Sequence, residues 1–221
     1  MPDKMKISPR SLLEKFSSGE GISDSFPRDI STSHVADALK NLTGTSNVVF
    51  GVKPIKSGLN ISGEAVTAQT RSDDWGTVLK AIDQAEAGKI LFLQSEDDQS
   101  AIWGELTSKT AQNKGIKGTI VYGAVRDISA VKSMNYPVFS RSIVPNAGAP
   151  LNKGRVNIPL QLGDLTVHPG DFVIADDGGV VVVPQEKLRE TLEESLKIKN
   201  KEEKILELVN EGKSLSNILG I

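Results

Sequence analysis

The longest strongly apolar runs in this chain are only strand-sized, the four valines Val180–Val183 being an example. A membrane-spanning helix needs about 20 consecutive apolar residues. The chain must therefore bury its core by layering many short elements rather than by a few long ones. At 221 residues, 38% of them hydrophobic, it is large enough to do so as one body or as one body with an appendage.

The order of those elements follows from periodicity and punctuation. Ser31, Thr32 and Ser33 offer N-caps for a helix from His34 to Lys40, and residues 8–18 read as an earlier amphipathic helix. From Val48 to Thr70, Gly51, Pro54, Gly58 and Gly63 break the chain into β-type runs. A helix is expected from Trp75 to Ala87, stopped by Gly88, then a buried strand over Lys89–Leu93 and an acidic loop over Gln94–Ser100. Ile102–Asn113 reads as helix, Gly118–Tyr122 as strand with Gly123 opening a turn, and Ile128–Met134 as helix. Strands are expected at Pro137–Ser140, Val156–Leu162 and Leu165–Val167, with a loop over Pro145–Gly154. Asp171–Ala175 and Val180–Val183 form a hairpin around Asp176–Gly179. After Pro184 the composition turns charged and helical, from Gln185 to Glu211, with a last turn over Ser214–Leu219. The pattern is α/β layering rather than a regular βαβ repeat, with a body over residues 1–184 and a helical extension over 185–221.

Composition excludes several chemistries. There is no Cys, so thiolate metal sites, Cys nucleophiles and disulfides are absent, and two His (His34 and His168) cannot supply the usual zinc motifs. Twenty-six Lys and Arg against 28 Asp and Glu give a net charge of −2, without the basic excess that nucleic acid requires. No signal-peptide or membrane pattern occurs, and a cytoplasmic protein without a membrane partner is the expectation. Gly212-Lys213-Ser214 lacks the upstream glycine of a phosphate-binding loop and reads as a helix stop. The Ser95–Gln99 loop suits either solvent or a hard cation, and Asp176-Asp177-Gly178-Gly179 reads as a turn. His34 and His168 read as a structural and a surface residue respectively.

Two segments carry more chemistry together than apart. In Trp103-Gly104-Glu105-Leu106-Thr107, Gly104 lets the backbone approach a ligand. If a helix starts there, the amides of residues 105–107 are open donors that suit a carboxylate. Gly123–Asp127 follows a β run and ends on Arg126-Asp127. Taken alone, that pair is what a simple surface ion pair looks like. Asp is also a hard oxygen ligand for Mg²⁺ or Mn²⁺, and Arg a planar fork for a carboxylate or enolate oxygen. Together the two segments suit an anionic α-keto acid.

The run GTIVYGAVRD, Gly118–Asp127, resembles the signature of the RraA-like family, which includes regulators of ribonuclease E and divalent-metal 4-hydroxy-4-methyl-2-oxoglutarate (HMG) aldolases. The resemblance extends through Ser31–Leu39, Tyr136–Arg141, Val156–Gln161, Pro169–Asp176 and Gly179–Pro184, about residues 30–190. It implies a compact α/β core of the swivelling β/β/α type, assembled as a homotrimer or hexamer with sites near subunit interfaces. It also implies substrate binding by Gly104, Glu105, Leu106, Thr107 and Arg126, catalytic roles for Arg126 and Glu105, and Asp127 as ligand of Mg²⁺ or Mn²⁺, with Glu105 reaching the metal through water. Two departures stand out. Gln94–Asp97 replaces a glycine-rich turn, and Asp176–Gly179 lacks the second acid of the family's D-x-D-G.

Two functions follow from the resemblance, beside a third, an enzyme of this fold acting on a different keto acid. One is a metal-dependent aldolase that releases pyruvate from HMG-like keto acids and decarboxylates oxaloacetate. The other is a ring-shaped inhibitor of an RNA-degrading endonuclease without catalysis. Those regulators need no metal, and their best-known type has Gln after the Arg, so Asp127 favours the enzyme.

Overall fold

A computed structural model describes residues 26–221. The helix expected over residues 8–18 lies outside them. The chain forms α1 (Thr32–Thr43), β1 (Lys53–Pro54), β2 (Ile61–Thr70), α2 (Gly76–Gln84), β3 (Ile90–Ser95), β4 (Ala101–Trp103), α3 (Glu105–Asn113) and β5 (Gly118–Val125). It continues through α4 (Ile128–Ser133), β6 (Val138–Ile143), β7 (Arg155–Val156), β8 (Leu160–Leu162), β9 (Leu165–Val167), β10 (Phe172–Asp176) and β11 (Gly179–Val183). A 3₁₀ turn, Gln185–Lys187, leads into α5 (Leu188–Asn210) and α6 (Leu215–Leu219).

The main sheet runs β1-β6-β5-β3-β2-β10-β11. Its middle is parallel: β2 pairs β3, β3 pairs β5 and β5 pairs β6, each joined through a helix. So the centre of the sheet is a βαβ series after all, flanked by antiparallel strands. The antiparallel hairpin β10–β11 has Ala175 opposite Val180, around the expected turn. The two ends of the sheet nearly meet. Val49 N–H donates to the Val180 carbonyl at 2.9 Å, and Lys53 Nζ reaches the Gly178 carbonyl at 2.6 Å. The result is an almost closed barrel.

Closure explains the continuous apolar runs, because strands buried on both faces have no polar side. Ile90 and Phe92 face the barrel interior with Ile120, Phe139, Val180 and Val182, and the β8–β9 hairpin adds Leu160, Leu162 and Val167. Leu91 and Leu93 face outward onto Val78, Ala81 and Ile82 of α2. Phe172, Ile174, Val181 and Val183 pack beneath α1 and α5. Leu188 and Leu192 of α5 belong to this last cluster, each burial contributing about 1.5–3 kcal/mol. The first turns of the tail helix therefore complete the body. Further along, Leu206 and Val209 are exposed.

Several local expectations change. Ile102 and Trp103 are not helix but belong to the short strand β4, and the helix begins only at Glu105. Gly123 does not open a turn; β5 runs through it to Val125. A Cβ at Gly123 would sit 2.7 Å from Ser95 Cβ, so the glycine serves strand packing. The helix expected over 75–87 is shorter, Gly76–Gln84, and the strand expected over 156–162 splits into β7 and β8. Asp176, the last residue of β10, also caps α1, accepting from Thr32 N at 2.8 Å and Thr32 Oγ1 at 2.6 Å. His34 is structural: Nδ1 closes the cap with Ser31, and Nε2 meets Glu202 of α5 at 3.0 Å. Gly212 ends α5 with φ +86°.

The acidic loop is held from within. Arg141 donates two bonds to Asp98, at 2.8 and 2.7 Å, while stacking on the Tyr122 ring at 4.2 Å. Asp97 accepts from Gln99 N at 2.9 Å. These carboxylates already have protein partners, which favours the solvated loop over a cation site.

Candidate active site

The parallel strands β4 and β5 end side by side, Trp103 opposite Val125. Ligands of α/β sheets gather beyond the carboxyl ends of such strands. Here the two chain segments that leave those ends are Gly104–Thr107 and Arg126–Asp127, and Arg126 N–H donates to the Trp103 carbonyl at 2.9 Å. One pocket is lined by Gly104, Glu105, Leu106, Thr107, Arg126 and Asp127, the six residues singled out in the sequence.

The turn at Gly104 is fixed by its neighbours. Gly104 N–H donates to Thr107 Oγ1 at 2.9 Å, and the Gly104 carbonyl accepts from Ser108 Oγ at 2.8 Å. Trp103 Nε1 donates to Ser108 Oγ at 2.7 Å. Thr107 is thus buried and its hydroxyl committed to the turn, so only its backbone amide is available to a ligand. The first amides of α3, those of Leu106 and Thr107 included, have no acceptor within their own helix.

Asp127 stands opposite. Its backbone is left-handed (φ 57°, ψ 37°), a conformation that Asp tolerates better than most residues but that still costs about 1 kcal/mol or more. The side chain consequently does not cap α4 but turns back on Gly104. Asp127 Oδ2 accepts from Glu105 N–H at 3.2 Å and lies 3.5 Å from Arg126 Nε. A Cβ on Gly104 would come within 2.6 Å of that oxygen and 3.1 Å of Arg126 Cγ, so a side chain there would displace the pair. Arg126 and Asp127 keep 41% and 39% of their side chains exposed. An ion pair so open to water contributes about 1 kcal/mol or less to folding. Stability alone gives no reason for a strained backbone to place it there.

The donor set limits which metal could fit. Among the described residues no three His, Asp or Glu side chains converge as an ion's ligands, so a caged Zn²⁺ does not fit. One carboxylate in an open pocket does fit Mg²⁺ or Mn²⁺, which keep water and take the rest of their oxygens from the ligand. Both described contacts of Asp127 fall on Oδ2, which leaves Oδ1 for an ion.

Sequence reasoning missed the opposite wall. Trp75 and Ala147 also line the pocket, the latter from the 145–154 loop. Trp75 N–H donates to the Ala149 carbonyl and Trp75 Nε1 to the Gly148 carbonyl, both at 3.1 Å. The anchor beneath is Asp74, almost wholly buried. Its Oδ1 accepts from the amides of Gly76, Leu151 and Asn152 at 2.8–2.9 Å. Its Oδ2 accepts from Lys153 N and Thr77 Oγ1 at 2.8 Å and from Thr70 Oγ1 at 3.1 Å. Burial by itself would raise the pKa of this carboxyl. The donated bonds from Lys153, Thr77, Asn152 and Gly76 outweigh it and hold the pKa well below the usual carboxylate range. The only sequence signal was an Asp just ahead of a helix start.

Asp74→Ala leaves several buried amides unsatisfied and is expected to cost about 3 kcal/mol or more in urea denaturation at pH 7. Asp74→Asn should cost less, since its carbonyl can keep the three bonds to Oδ1 while its NH₂ faces the Lys153 amide. A carboxyl whose pKa is depressed by folding stabilises fully above its unfolded value, near pH 4, and that stability is lost as pH falls toward the folded value. The gap between wild type and Asp74→Asn should therefore shrink below about pH 4. An unchanged gap there would mean the charge is not what holds the loop.

A family profile for RraA-like proteins, described as Aldolase/RraA, matches residues 32–182. The chain belongs to the RraA-like family. An uncharacterized protein of Methanocaldococcus jannaschii is 37% identical over 175 residues, 77% of this chain and 84% of that one. A protein of Halalkalibacterium halodurans, named as a candidate HMG aldolase, is 34% identical over 171 residues, 77% and 80% of the two chains. Among solved structures, an uncharacterized protein from Pseudomonas syringae pv. tomato superposes with a TM-score of 0.78 at 27% identity, covering 98% of this chain and 96% of that one. The RNA-processing inhibitor RraA from Thermus thermophilus superposes with a TM-score of 0.61 at 26% identity, covering 67% and 92%.

Proposed function

We propose that this protein is a divalent-metal-dependent carbon–carbon lyase that releases pyruvate from HMG-like keto acids and also decarboxylates oxaloacetate. The observation that carries this is the turned-back carboxylate of Asp127, set against Gly104, the first amide of α3 and Arg126. The aldolase name of the Halalkalibacterium relative supports it.

In this reading Mg²⁺ or Mn²⁺ at Asp127 supplies Lewis-acid polarisation of the substrate's keto group. The amides of Leu106 and Thr107 hold the carboxylate of the pyruvyl half. Glu105 accepts the C4 hydroxyl proton through water. The C4 carbonyl then forms as the C3–C4 bond breaks, and its electron pair moves onto the keto oxygen as an enolate. Arg126 stabilises that oxygen. Protonation at C3 completes pyruvate. Loss of CO₂ from oxaloacetate passes through the same enolate, so one site serves both reactions.

The protein is proposed to work in the cytoplasm as a homotrimer or hexamer, with neither nucleic acid nor membrane as partner. No helix among the described residues is long and apolar enough to cross a membrane. The test is release of pyruvate from HMG and oxaloacetate by the purified protein with EDTA or with Mg²⁺ or Mn²⁺, with the mass read by light scattering. Metal-dependent release is expected from an assembly of at least three chains. Inhibition of an RNA endonuclease with no pyruvate from either acid would instead establish the regulator reading, which the Thermus neighbour represents.

A further inference from the structure

The peptide between Gly104 and Glu105 ties the pocket to the protein interior. In a trans peptide the carbonyl and the following N–H point in opposite directions, so whatever fixes one aims the other. The Glu105 N–H donates to Asp127 Oδ2 at 3.2 Å. The Gly104 carbonyl, on the other side of the same plane, accepts from Ser108 Oγ at 2.8 Å and from Thr107 Oγ1 and Ser108 N at 3.0 Å. Ser108 Oγ in turn accepts from Trp103 Nε1 at 2.7 Å. An indole N–H can only donate and a carbonyl can only accept, so the one hydroxyl proton of Ser108 lies toward Gly104. Trp103 and Ser108 are almost wholly buried, and the indole is stacked on Tyr136 with 6.4 Å between ring centroids. The donors Trp103 Nε1, Ser108 Oγ and Glu105 N therefore run head to tail and end on the Asp127 carboxylate. Hydrogen bonds aligned in this way polarise one another.

We propose that Ser108 is a positioning residue for the carboxylate of Asp127. Oriented by the Trp103 indole, its hydroxyl sets the Gly104–Glu105 peptide, which holds Oδ2 of Asp127 and leaves Oδ1 to the ion. The inference rests on the reading of Asp127 as the ligand of Mg²⁺ or Mn²⁺ and extends that site into the core beneath it. A purely structural account gives Ser108 only the task of satisfying a buried indole N–H.

The two accounts separate in the affinity of the full-length, metal-free protein for Mn²⁺, read from the relaxation of water protons with no substrate present. Ser108→Ala should weaken Mn²⁺ binding about tenfold or more, as loss of a group that orients a metal ligand commonly does. That variant also strands the indole N–H, which costs stability. The same substitution is therefore made in a Trp103→Phe background, where no indole N–H remains to be stranded. There Ser108→Ala should scarcely move the thermal midpoint, yet should still weaken Mn²⁺ binding about tenfold or more, because the Gly104 carbonyl loses the hydroxyl all the same. Mn²⁺ affinity that does not respond to Ser108→Ala in that background overturns the positioning role and leaves the lyase standing. A wild-type protein that binds no Mn²⁺ overturns the reading of Asp127 and this inference with it.

Discussion

Asp127→Asn should lower metal-dependent pyruvate release by about 10³-fold or more while leaving the thermal midpoint nearly unchanged. Asn is the informative replacement because, like Asp, it accepts the left-handed backbone found at φ 57°. It keeps the shape and the acceptor for Glu105 N–H but loses the charge that would hold a divalent ion. Asp127→Ala loses charge and acceptor together and adds backbone strain, so it should be equally inactive and slightly less stable. Binding of Mn²⁺, followed by paramagnetic relaxation of water, should weaken in step with activity. An Asp127→Asn protein that regains wild-type turnover after EDTA treatment and Mg²⁺ readdition would show that the ion is held elsewhere.

Loss of Arg126 should act on the chemical step. If its guanidinium meets the enolate oxygen, the bond strengthens as charge moves onto that oxygen, and its removal lowers kcat. A charge-assisted donor of this kind is expected to matter by about 10²–10³ in kcat. Arg126→Lys keeps the charge without the planar fork and should recover only part of the loss. The competing account is an ion pair with Asp127, and its effect is bounded. At 3.5 Å, with some two-fifths of each side chain exposed, the pair contributes about 1 kcal/mol of stability or less. On that account Arg126→Ala would leave turnover nearly intact. A raised KM with kcat preserved in both variants would make Arg126 a ground-state carboxylate clamp.

The sequence disclosed one half of the pocket and hid the other, for a physical reason. Gly104–Thr107 and Arg126–Asp127 lie in short segments whose chemistry is local: a glycine before a helix, an Arg-Asp pair after a strand. Even so, Ile102 and Trp103 of β4 read as the start of a helix, because so short an apolar run has no period that separates a buried strand from a first helical turn. Trp75 and Asp74 acquire their roles from a loop more than seventy residues away, through bonds to Gly148, Leu151, Asn152 and Lys153. No pattern within a window can show that approach. The packing that requires glycine at 148, where a Cβ would lie 2.0 Å from the Asp73 carbonyl, is equally invisible until the chain has folded. The β10–β11 hairpin and the glycine stop at Gly212 were legible because their conformations are dictated by adjacent residues.

The near-closure of the sheet has a further consequence for how copies of this chain can meet. An open sheet offers its outermost backbone groups to any passing strand, which is both a route to oligomers and a route to fibres. Here the β11 edge is occupied by the chain's own Val48–Val49 segment, and two-residue β1 pairs with β6 at the other end. At these two ends of the main sheet a growing fibril would find little unpaired backbone on which to template. Extending the ends of the main sheet is then a poor route to assembly, and side chains on its curved outer surfaces can change in sequence without reopening the barrel.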